Sequence, residues 1–148
     1  MITIPWLDKV TGSLKYLAIY LIFIGALTGA GISKLAHPTP PGIVKEFAGS
    51  WVATFPGTAV SWKIAGAGEL IVVILMLISL VTLEWMGGKS KKVLRLALVA
   101  AMLVFAVLAV GQDVGGSDSG AAELFMYFGA TAVVWLVVRK DEQDEVVG

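Results

Sequence analysis

Four long stretches of nearly unbroken apolar residues divide the chain. They run roughly Leu14–Ser33, Trp62–Trp85, Val93–Gln112 and Ala121–Val138. A membrane-crossing helix needs about 20 mostly apolar residues, because the hydrocarbon layer is about 30 Å thick and a helix rises about 1.5 Å per residue. Lipid supplies no partner for backbone N–H and C=O groups, so runs of this length are expected as helices, whose bonds close internally. None alternates apolar with polar, which argues against a membrane barrel. The pattern predicts an all-α fold: an integral membrane four-helix bundle, one domain over residues 1–138 with spans at about 14–33, 62–85, 93–112 and 121–138. A short charged tail, 139–148, is expected to fray beyond it. The first run follows Lys9 and contains Lys15, a charged start before an apolar stretch like that of a signal peptide, but it is read as a retained span.

The links between the runs differ. That after the second run is tight, so spans two and three are expected as antiparallel neighbours; that after the third is also short and rich in glycine and serine. The link from His37 to Ser61 is long and opens with three prolines, which forbid helix there. Beyond them Ile43, Phe47, Trp51 and Phe55 recur every fourth residue, the spacing of one helix face. This predicts a short amphipathic helix between spans one and two, lying on the outer surface with its aromatic face toward lipid or the bundle.

Composition supports a bilayer as solvent. Of 148 residues, 57% are hydrophobic and 15% charged, and mean hydropathy is +0.87. That is more apolar surface than one small core can hide. Zero net charge gives no electrostatic footprint for nucleic acid. The absence of cysteine excludes disulfides, thiolate metal sites and a cysteine nucleophile. One histidine, His37, cannot build a metal centre alone, and no metal or catalytic constellation, phosphate loop or dinucleotide fingerprint is evident.

Lys and Arg distribution sets the orientation. Lys9, Lys15, Lys89, Lys91, Lys92, Arg95, Arg139 and Lys140 fall on one side; Lys34, Lys45 and Lys63 fall on the other. Eight against three predicts a multi-pass protein of the cell membrane with both termini cytoplasmic. Trp6, Trp62, Trp85 and Trp135 lie near span ends, as interfacial residues do.

Helices in lipid meet through small residues. Gly25, Gly29 and Ser33 on span one, and the Ala65–Gly68 stretch with Gly66 on span two, are expected to form a close crossing in the outer half. Glu69 lies on the same face, roughly 9 Å below the level of Lys63. A carboxylate at that depth should face protein and have a partner. Lys34, His37, Gln112, Asp113, Glu123 and Tyr127 also fall at outer helix ends. Two expectations follow. Either Glu69 and Lys34 form an ion pair that fixes helix register, or these residues ring a polar pocket for a small ligand, proton or quinone head group. Glu84, at the opposite end beside Trp85, is given no special role.

Span one ending in the stretch Gly31–Leu35, the loop stretch Phe47–Pro56 and the Ala65–Leu70 opening of span two together resemble the DoxX-like family of four-span membrane proteins. The resemblance covers about residues 14–138. It implies association with membrane redox systems, including thiosulfate:quinone oxidoreductases, and marks Lys34 and Glu69 as the polar pair of interest. The lack of cysteine departs from sulfur transfer through a protein thiol. The expected role is an accessory, non-catalytic subunit of a larger quinone-linked complex. Its partners would be the lipid bilayer and other membrane subunits; it would bind no cofactor alone, with quinone or lipid at the bundle. The alternative is a stand-alone quinone-reactive oxidoreductase or small-solute carrier working through the pocket around Glu69.

Overall fold

The computed structural model describes residues 5–147, and side chains from 10 to 144. The side chains of Trp6, Lys9 and Glu145 lie outside the described residues. Six helices follow in order: α1 (Pro5–Ala36), α2 (Pro41–Glu46), α3 (Trp51–Thr54), α4 (Thr58–Val81), α5 (Lys92–Val114) and α6 (Asp118–Val147). Four of them, α1, α4, α5 and α6, are long and apolar enough to cross a membrane. The chain is a small all-α, multi-pass bundle, as the hydrophobic runs predict.

Packing proceeds from α1 to α4, from α4 to α5 and from α5 to α6. The core lies toward the end where α1 begins and α6 finishes, the termini end. There Tyr16, Tyr20 and Phe23 of α1 meet Val72 and Met76 of α4, Leu94 and Leu98 of α5, and Val138 of α6. Toward the opposite end, capped by α2 and α3, burial thins. Beyond Phe105, no described residue of α5 is fully buried.

The helix bounds differ from the expected spans: α1 begins at Pro5 and α4 at Thr58, ahead of the expected starts at 14 and 62, and three further differences have a local cause. α4 stops at Val81, before Glu84 and Trp85, because the chain turns there with Leu83 in the left-handed region at φ 60°. α6 runs on through the stretch expected to be a frayed tail. Its charges are docked: Asp141 accepts from the Tyr16 hydroxyl at 2.6 Å and pairs with Lys15 at 2.5 Å. Glu142 accepts from Ser90 Oγ and the Lys91 backbone N–H, both at 3.0 Å, and faces Arg95. The expected single amphipathic helix is two short ones. Gly49, at φ 86°, breaks the repeat between them, so the four-residue periodicity does not map onto one face. Phe47 is 8% exposed, whereas Trp51 and Phe55 are 64% and 78% exposed.

The close crossing of α1 and α4 exists, but through a different glycine. A Cβ on Gly31 would lie 2.8 Å from the Leu70 side chain and 3.1 Å from the Gly66 carbonyl; one on Gly66 would lie 2.7 Å from Lys34 Cβ. Gly25 and Gly29 have nothing within 4 Å of that position, and Ser33 is exposed. The Gly25–Gly29–Ser33 stripe therefore faces away from α4. The helix is rotated so that Tyr20, Phe23, Leu27 and Gly31, also near-helical in spacing, face inward.

Glu84 holds the α4–α5 turn. Its carboxylate accepts from the backbone N–H of Val93 (3.0 Å) and Leu94 (2.7 Å) and from Ser79 Oγ (2.7 Å), which also bonds the Tyr20 hydroxyl (2.7 Å). Two donors of the first turn of α5, the Leu94 N–H buried and the Val93 N–H partly so, are thereby satisfied, and a negative charge sits at the positive end of the helix dipole.

Two outcomes follow. Gly66→Val should destabilise the bundle by about 1–3 kcal/mol, since the neighbouring Lys34 must move; Gly25→Ala and Gly29→Ala should be neutral or slightly stabilising. Glu84→Ala should cost about 2 kcal/mol, with Glu84→Gln milder because its amide oxygen still accepts. Equilibrium unfolding in detergent measures both.

Candidate functional site

Gly66 and Glu69 stand one turn apart on the same face of α4. Because Gly66 has no side chain, the last turn of α1 presses onto the α4 backbone and seats the Cβ of Lys34 there. From that seat the lysine reaches Glu69, donating to Oε1 at 2.8 Å and to Oε2 at 2.9 Å. Glu69 is 3% exposed, and the Lys34 ammonium also lies 5.1 Å from the centre of the Trp62 ring. The anticipated ion pair is present, and both carboxylate oxygens are engaged.

A cavity of about 430 Å³ adjoins this pair without including it. It lies at the capped end, between α2–α3 on one side and the ends of α4 and α5 on the other. Phe47, Trp51 and Val52 form its cover; Ala65, Val107 and Gly111 belong to its helical walls. Where α4 and α5 converge one turn deeper, Gly68 meets Val104: a Cβ there would lie 3.0 Å from Val104 Cγ2. Trp62 contributes to the cavity wall and to the cation–π contact alike.

The expected polar ring around Glu69 does not assemble. Of its members, Gln112 alone lines the cavity, which is otherwise almost wholly apolar. His37 is exposed past the end of α1, its Nδ1 facing the Ser33 carbonyl. Asp113 is exposed one residue beyond Gln112 and is not part of the cavity wall. Glu123 and Tyr127 pair with each other, one turn apart on the exposed face of α6. The rotation of each helix, which hydropathy leaves open, is what keeps these residues from sharing one cavity with Gln112. Among the described residues, no three His, Cys, Asp or Glu side chains converge as metal ligands would.

Two contributors were not foreseen. Lys63 donates to the carbonyls of Leu35 (2.6 Å) and His37 (2.8 Å), closing the C-terminus of α1 beside the Lys34 seat. Glu46, at the end of α2, packs against the α5–α6 turn; a Cβ on Gly115 would lie 2.8 Å from its Oε1. The basic residue just past a helix end in space could not be read from one chain, but the small residue at 115 is consistent with a neighbour approaching there.

Comparison with protein-family models, with curated proteins and with solved structures finds no match.

Removing one partner of the buried pair leaves an uncompensated charge away from water. Glu69→Leu should therefore destabilise the protein by about 3–5 kcal/mol, and adding Lys34→Met should recover most of the loss. A double-mutant cycle of unfolding free energies measures the coupling.

Proposed function

We propose that this chain is a small accessory subunit of a larger quinone-linked membrane redox assembly, contributing structure and not electron transfer. One observation carries the reading. Its deepest ionisable pair, Lys34 and Glu69, is spent on holding α1 to α4, with both carboxylate oxygens occupied and neither residue on a cavity wall. A group committed to a bidentate bond is poorly placed to exchange protons with a substrate. The likeness of residues 14–138 to the DoxX-like pattern supports the redox assignment.

The outermost helix supports a place among other subunits. α6 buries the smallest share of its apolar stretch of the four long helices, and Phe125, Met126, Val133 and Leu136 are exposed along it. Such a surface can face acyl chains or a neighbouring span. The excess of Lys and Arg at the termini end supports cytoplasmic termini in the cell membrane. The alternative, a stand-alone quinone-reactive protein or solute carrier centred on Glu69, is weakened by the same ion pair.

Purification from its native membrane in a mild detergent is the test. Other membrane subunits should co-purify in fixed ratio, and Glu69→Gln should leave the activity of the assembly near the wild-type level if the bundle stays folded. Recovery of the chain alone, or loss of activity with an intact bundle, overturns the proposal.

A further inference from the structure

The cavity between α2–α3 and the ends of α4 and α5 is the feature the ion pair leaves unexplained. Its volume of about 430 Å³ falls in the range of small-ligand sites, about 300–1,000 Å³. It exists because the two helices that converge at Gly68 and Val104 separate above that point, and the α2–α3 segment bridges the gap without filling it.

Three properties define what it would hold. Its walls carry no charged side chain. The polar side chains that do line it, Thr58, Ser61 and Gln112, are neutral and sit in the outermost turns of α4 and α5; the Gln112 Oε1 packs against Gly120, where a Cβ would lie 2.5 Å from it, which leaves the two hydroxyls as the groups with the freest access to the chamber. Finally, the cavity is not sealed: Val107 and Val110 line it and are nevertheless 62% and 57% exposed, on a helix long and apolar enough to cross a membrane. Hydroxyls and an amide above an apolar chamber suit a head that hydrogen-bonds without charge, because a buried ion there would lack a counter-charge. A wall open at the level of the spans suits entry from lipid.

We propose that this cavity binds a neutral amphiphile taken laterally from the bilayer: an apolar body among Phe47, Trp62, Ala65 and Val107, and a hydroxyl- or carbonyl-bearing head near Ser61 and Gln112. The site belongs to this chain alone and does not depend on the accessory role proposed above. Both a quinone and a diacylglycerol have this chemistry.

Gly111 provides the test, since it lines the cavity and a Cβ there meets nothing within 4 Å. Leucine at 111 fills the chamber without a clash at its first carbon. The full chain, purified in detergent, is titrated with decylubiquinone, dioleoylglycerol and dioleoylphosphatidylglycerol. Retention is read by native mass spectrometry and by tryptophan fluorescence, with thermal unfolding as the check on folding. At least one neutral probe should bind in preference to the anionic lipid. Gly111→Leu should weaken its binding at least tenfold with unfolding unchanged, and Ala106→Phe serves the same purpose if the first variant fails to fold. Gln112→Leu should weaken it by a smaller factor. The stronger neutral probe identifies the source of the ligand. Binding of neither neutral probe, a preference for phosphatidylglycerol, or affinity untouched by a filled cavity overturns the proposal. None of these outcomes bears on co-purification, so the two proposals fail separately.

Discussion

Hydrocarbon offers a carboxylate nothing, and this constraint organises the molecule. Glu69 and Glu84 are the two acidic residues most withdrawn from solvent among the described residues, and each is saturated by donors. Glu69 takes a lysine ammonium twice over; Glu84 takes two backbone amides and a serine hydroxyl. Neither arrangement can form until two elements are in register, so the cost of leaving a charge unpaired in lipid selects the correct register over its neighbours. The same cost explains why the remaining charges gather at the helix ends, where Asp141 and Glu142 fasten α6 to α1 and to the start of α5.

Small residues and charge cooperate at the α1–α4 crossing. Close approach through Gly31 and Gly66 brings dispersion contacts that lipid cannot match. It also shortens the reach of Lys34 to Glu69. Ion pairing in turn holds the helices at the distance where the glycines are useful. At the termini end, four helices close around aromatic and branched side chains. At the other end, α4 and α5 separate past Gly68, and the looser geometry leaves the chamber beneath α2 and α3.

The sequence makes some of this plain and hides the rest for physical reasons. Hydropathy over 18 or more residues reports depth, and so the four long helices and the need for a Glu69 partner were legible. It reports nothing of rotation about the helix axis in a span apolar on most faces. That is why Gly25, Gly29 and Ser33 were expected at the crossing where Gly31 stands, and why His37, Glu123 and Tyr127 looked convergent with Glu69. The aromatic repeat of the long link misled because one left-handed glycine, Gly49, cuts it in two. Glu84 looked able to reach water; its value lies in the amides of residues nine and ten positions later, a partnership that only the tight turn creates.

That turn has a consequence for the assembled bundle. The carboxylate closes the connection between α4 and α5 using groups from the connection and its two flanking helices. The two helices thus constitute a hairpin whose buried carboxylate is already partnered within the hairpin, while Ser90 and the Lys91 N–H of the bend take their acceptor, Glu142, from α6. α1 and α6 pack on its two helices and meet each other through Tyr16, Lys15 and Asp141, so the hairpin is the part of the bundle that both outer spans share.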